Sequence, residues 1–102
     1  MNTQVTEIHI MPIKAVRHEK TGESLVALAS CVLDGKFFVN SIGIFERDDG
    51  RYRLTYPTKK REKSELKLFY PIGQDIGKDI EEAIVGEYID LHMNPADSEK
   101  EE

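Results

Sequence analysis

The sequence predicts an α+β fold: an antiparallel β-sheet of about five strands followed by one C-terminal amphipathic helix. Three observations carry this expectation. Apolar residues alternate with polar ones, or run continuously over strand-sized stretches, through the first two-thirds of the chain. Turn signals at Thr21-Gly22, Asp34-Gly35 and Asp48-Asp49-Gly50 cut that region into pieces of strand length. After Gly73 the apolar period changes to that of a helix.

Residues 5–16 form the first expected strand, with Ile8 and Ile10 alternating with Glu7 and His9. Pro12 has no N–H to give to a ladder, so this strand belongs at an edge or carries a bulge. Residues 24–33 are almost continuously apolar, which is the pattern of a strand covered on both faces. Asp34-Gly35 turns the chain back into a partner strand over 36–46. Gly43 inside that strand implies a bulge or a close approach of another backbone. Residues 51–56 alternate again, with Tyr52, Leu54 and Tyr56 on one face and Arg51 and Arg53 on the other. Pro57 ends the strand, the all-polar run 58–65 reads as an exposed loop, and 66–70 as a short last strand. From 73 to 93, Ile76, Ile80, Ile84, Tyr88 and Leu91 share one stripe, with Ala83 beside it. Asp75 suits the N-terminal end of that helix. Residues 1–93 are therefore expected to be a single domain, and 94–102 a disordered acidic tail. One helix covers only one sheet face. A homodimer pairing through the sheet is the economical cover for the other.

Composition narrows the function. No apolar run approaches the ~18 residues of a membrane span, and the N-terminus lacks a signal-peptide pattern. Cys31 is the only cysteine, so no internal disulfide can form and a cytoplasmic location is expected. His9, His18 and His92 lie in separate elements without zinc-type spacing. Cys31 sits mid-strand among apolar neighbours, as a core thiol does. Asp48-Asp49 belongs to a turn. Glu81, Glu82 and Glu87 belong to the solvated face of a helix. Gly73 and Gly77 lack a phosphate-loop pattern and its lysine. No catalytic residue, metal site, cofactor or small-molecule substrate is expected.

Charge is the pointed feature. The net charge is −5, yet residues 51–67 hold seven cations and two acids, which leaves −10 for the rest. Lys59, Lys60, Arg61 and Lys63 fall on one short segment, with Arg51, Arg53 and Lys67 flanking it. Such a strip can meet phosphates along a nucleic-acid backbone and release their counterions. The rival reading is a solvated segment that blunts a sheet edge with lysine.

The run Leu33-Asp34-Gly35-Lys36-Phe37-Phe38-Val39-Asn40-Ser41-Ile42 is similar to the strand–turn–strand of SpoVG, a bacterial family of septation and sporulation regulators. So are Tyr56-Pro57-Thr58-Lys59-Lys60, Tyr70-Pro71-Ile72, and the helix positions Ile80, Ala83, Glu87 and Tyr88, in the family's order. The resemblance covers residues 5 to 91. It implies a small α+β fold that dimerises through its sheet. It also implies a DNA- and RNA-binding regulator without known catalysis, whose contacts are carried by the basic loop. That role carries over to Lys59 and Lys60. The family loop usually reads Lys-Arg-Thr-Pro-Asp-Gly, whereas this chain has Lys59-Lys60-Arg61-Glu62-Lys63-Ser64, so Arg61 and Lys63 match by charge alone. The expected interface is Lys59, Lys60 and Arg61, supported by Lys63, Arg51 and Arg53. The alternative is a non-catalytic protein-interaction module using the apolar sheet face or the acidic tail.

Overall fold

The computed structural model describes residues 3–93. The expected tail, 94–102, lies outside them. Six strands precede one helix: β1 (Val5–Arg17), β2 (Ser24–Leu33), β3 (Phe37–Glu46), β4 (Tyr52–Thr55), β5 (Thr58–Lys60), β6 (Glu65–Lys67) and α1 (Gln74–Met93). The first four form one antiparallel sheet in the order β1-β2-β3-β4, and β5 and β6 pair as a separate two-stranded hairpin. The α+β class holds. The last expected strand, however, does not join the sheet, and the stretch expected to be loop supplies β5. Nothing in an all-polar segment announces a strand, because both faces of this hairpin are exposed and no apolar alternation is needed.

Local chemistry explains the connections. Asp34 and Gly35 both have positive φ, 52° and 66°, and form the central pair of the tight turn in the three-residue connection between Leu33 and its partner Phe37. Lys36 N–H donates to the Leu33 carbonyl at 2.9 Å to close it. Pro12 lies in β1, an edge strand, beside a break in register between Pro12 and Val16. Gly43 marks a close approach: a Cβ there would stand 2.5 Å from Thr55 Oγ1. A bulge in β3 decides which side chains reach the core. Ala29 pairs with Ile42 and Cys31 with Val39, so β3 carries one extra residue there, and Ser41 has a φ of 60°. Period two would put Val39 and Ile42 on opposite faces. The extra residue resets the phase, and both are buried.

The core lies between one sheet face and α1. Ile80, Ile84 and Tyr88 pack with Ala27, Ala29, Cys31, Leu33, Val39, Ile42, Ile44 and Leu54. The small residues of β2 leave room for the large side chains of the helix, whose backbone runs nearest to β1 and β4. Burial pushes the Cys31 thiol up, away from the thiolate that reactive chemistry needs. Asp79 ties the helix to the start of β1 by accepting from Thr3 N–H at 2.9 Å. Asp75 stands in the first helical turn, where it favours the helix dipole. Leu91, expected on the buried stripe, is exposed. It helps to line a cleft with Ile10, Pro12, Tyr52 and Tyr88 rather than closing the core.

The second sheet face is only partly covered. At one end Phe45 is buried under the Arg53 guanidinium, 5.0 Å from its ring centroid, with the His18 ring edge-on at 5.4 Å. Farther along, Leu28 pairs with Met11 and Val32 with Phe38. There Met11 and Phe38 are 64% and 65% exposed, beside an open groove of about 560 Å³.

Candidate nucleic-acid interface

The basic segment is a β-hairpin. Thr58 pairs with Lys67, Lys59 with Leu66, and Lys60 with Glu65. Arg61 N–H donates to the Ser64 carbonyl at 2.8 Å, which places Arg61-Glu62-Lys63-Ser64 at the turn. At the other end Leu68 N–H donates to the Pro57 carbonyl at 3.0 Å. Every residue of β5 and β6 is exposed, so the hairpin takes no part in the core.

This geometry changes the expected convergence of charge. Successive side chains of a strand point to opposite faces. Lys59 therefore shares a face with Leu66, and Lys60 shares the opposite face with Glu65. Arg61 and Lys63 are at the tip. Among the described residues, Lys59, Lys60, Arg61 and Lys63 have no acidic side chain within ion-pair distance. Their charges are open to an anion.

Arg51 and Arg53 are placed elsewhere. Arg51 precedes β4 at the β3–β4 turn, and its Nε lies 3.8 Å from Asp49 Oδ2. Arg53 donates from Nη2 to Glu23 Oε1 at 2.6 Å and from Nε to both Glu23 oxygens at 3.2 Å. The Arg53 hydrogen bond is the main reason the Glu23 carboxyl is held below its usual range, with the charges of Arg53, Arg47 and His18 adding to it. Both arginines sit toward the end of β4 that joins β3, whereas the hairpin leaves from its other end. At about 3.3 Å per residue, Arg51 and Thr58 are roughly 20 Å apart along an extended chain. A phosphate reaching Arg53 would compete with Glu23.

These charges have an apolar companion that the sequence pattern does not announce. Leu66, Leu68, Tyr70 and Ile72 are all exposed, Ile72 at 84%. Lys67 Nζ lies 5.0 Å from the Tyr70 ring centroid. Alternation over 66–72 was the available signal, but alternation ordinarily means a half-buried strand. Here none of the described elements covers it.

The root of the hairpin is fixed by Tyr56, whose ring stands 5.7 Å from that of Phe69. Burial above all, then the Glu81 carboxylate and Cys31, push the Tyr56 phenol up to about 12 from its ordinary 10.0. The folded state thus holds this proton more tightly than the unfolded chain does. Its contribution to stability is complete below about pH 10 and declines as the pH rises toward about 12. Urea-unfolding midpoints measured from about pH 9 to about pH 12 are expected to be level and then to fall. Tyr56→Phe should show a shallower fall.

A family model described as SpoVG matches residues 3–90. A septation protein SpoVG of Phytoplasma australiense is 31% identical over 101 residues, covering 97% of each chain. Its counterpart in Borrelia garinii subsp. bavariensis is 30% identical over 98 residues, covering 95% of each. That of Borreliella afzelii is 29% identical over 98 residues.

Proposed function

This chain belongs to the SpoVG family, and from that premise we propose that it is a DNA- or RNA-binding regulator of the bacterial cytoplasm, acting in septation or sporulation control. The observation that supports this reading most directly is the exposed hairpin. Four cations without an ion-pair partner among the described residues, Lys59, Lys60, Arg61 and Lys63, are gathered on it in a chain of net charge −5. An acidic body repels polyanions, so attraction has to be local, and the hairpin offers the place for it. The four side chains contact backbone phosphates. Such contacts position the partner without reading its sequence. Arg51 and Arg53 are assigned a lesser part, because each already faces an acid.

The testing experiment is fluorescence anisotropy of labelled DNA and RNA across a salt series. Binding should weaken linearly on a log–log plot as salt rises. Failure to shift either probe at low salt would remove the reading.

Two copies act together in this proposal, pairing through the open sheet face. Met11, Leu28, Val32 and Phe38 supply an apolar surface of the kind a soluble monomer rarely leaves uncovered. Phe38→Asp is expected to leave the fold intact, because Phe38 is 65% exposed. It should halve the mass measured by light scattering. The same groove supports a second reading, a protein-interaction module without nucleic acid. That reading predicts an unchanged mass for Phe38→Asp together with loss of a protein partner.

A further inference from the structure

We propose that the preferred partner of the hairpin is single-stranded nucleic acid, with the Tyr70 ring as a stacking platform for an unpaired base. This rests on the nucleic-acid reading above and specifies the form of the partner. Tyr70 is 52% exposed and lies three residues beyond β6. Lys67 Nζ stands 5.0 Å from its ring centroid, so a cation already leans on the ring. The same ammonium can take a phosphate, which brings charge neutralisation and a flat π-surface within reach of neighbouring parts of one strand. Leu68 and Ile72, two residues to either side of Tyr70, are exposed as well.

Single-strand binders combine these two elements: cations that follow the backbone, and aromatic rings on which bases stack irrespective of sequence. A duplex keeps its bases paired and stacked on one another, so it can use the lysines but not the ring. A cluster of lysines alone would not discriminate between the two forms. The exposed ring beside Lys67 does.

The test uses the full chain and three variants, Tyr70→Ala, Tyr70→Phe and the double variant Lys59→Ala/Lys60→Ala. The probes are a labelled mixed-sequence single strand and the duplex of the same sequence. Tyr70→Ala is expected to weaken single-strand binding roughly tenfold, within the range that stacking one base supports. Duplex affinity and the salt slope should not move, and Tyr70→Phe should restore wild-type binding because the ring is kept. Unchanged single-strand affinity in Tyr70→Ala, an equal loss on the duplex, or failure of phenylalanine to rescue would each overturn the inference. So would a change in oligomeric mass, which would make the ring a contact between copies. If the lysine variant flattens the salt slope while Tyr70→Ala does nothing, the nucleic-acid reading stands and this inference falls. If neither probe binds at low salt, both fall.

Discussion

Replacing Lys59 and Lys60 together by alanine removes two charged contacts and is expected to weaken nucleic-acid binding on the order of a hundredfold to ten-thousandfold. Hydrogen bonds to charged groups contribute roughly 1.5–3 kcal/mol each, and every 1.4 kcal/mol is a factor of ten. The sharper reading is the salt dependence. Each phosphate contact contributes about 0.9 to the slope on duplex DNA and about 0.7 on a single strand. Losing two contacts should flatten the slope by roughly 1.4 to 1.8. Anisotropy titrations of wild type and variant over the same salt series measure both quantities. Both residues are exposed and outside the core, so the variant should unfold at the wild-type urea concentration. Unchanged affinity and slope would take the hairpin out of the interface.

The second large effect is on stability. Ile84→Ala is expected to cost about 2–5 kcal/mol, a large part of the ~5–15 kcal/mol that a folded protein commands. Ile84 is fully buried in a cluster that includes Ala27, Ala29 and Cys31 of β2. Those side chains are too short to reach into the space that Ile84 leaves. The cavity should therefore persist, and the loss should fall toward the upper part of the range. Urea unfolding should show a lower midpoint with an unchanged slope. Ile72→Ala is the control. It removes a similar side chain that is 84% exposed, and its effect should stay within about 0.5 kcal/mol.

How much of this was legible in the sequence depends on the range over which each signal acts. Asp34-Gly35 needs only its own backbone angles to make a turn, and it stands where it was expected. The stripe Ile80–Ile84–Tyr88 is written in the helical period and is buried. Pro12 and Gly43 both sit at irregular or crowded points of the sheet, as their backbone chemistry requires. Other features depend on pairings that no local pattern contains. Glu23 and Arg53 are thirty residues apart, so the engagement of that guanidinium appears only once β4 is laid beside β3. The bulge that turns both Val39 and Ile42 inward interrupts the very alternation that a strand is read from. The candidate interface was legible as a cluster of charge, but not as a hairpin. Lys59 and Lys60 are neighbours in sequence and face opposite sides in space because β5 is extended.

The strand order also bears on how the chain reaches its fold. Every pairing in the main sheet joins strands consecutive in sequence, and so does the pairing of β5 with β6. During synthesis each strand can find its partner as soon as it emerges, at the small entropic cost of closing a short loop. The helix comes last. Until Ile80, Ile84 and Tyr88 have been made, Ala27, Cys31, Ile42 and Ile44 line an uncovered apolar floor. The nascent chain is thus most prone to associate with its neighbours late in translation, when the sheet is complete and its cover is still being made.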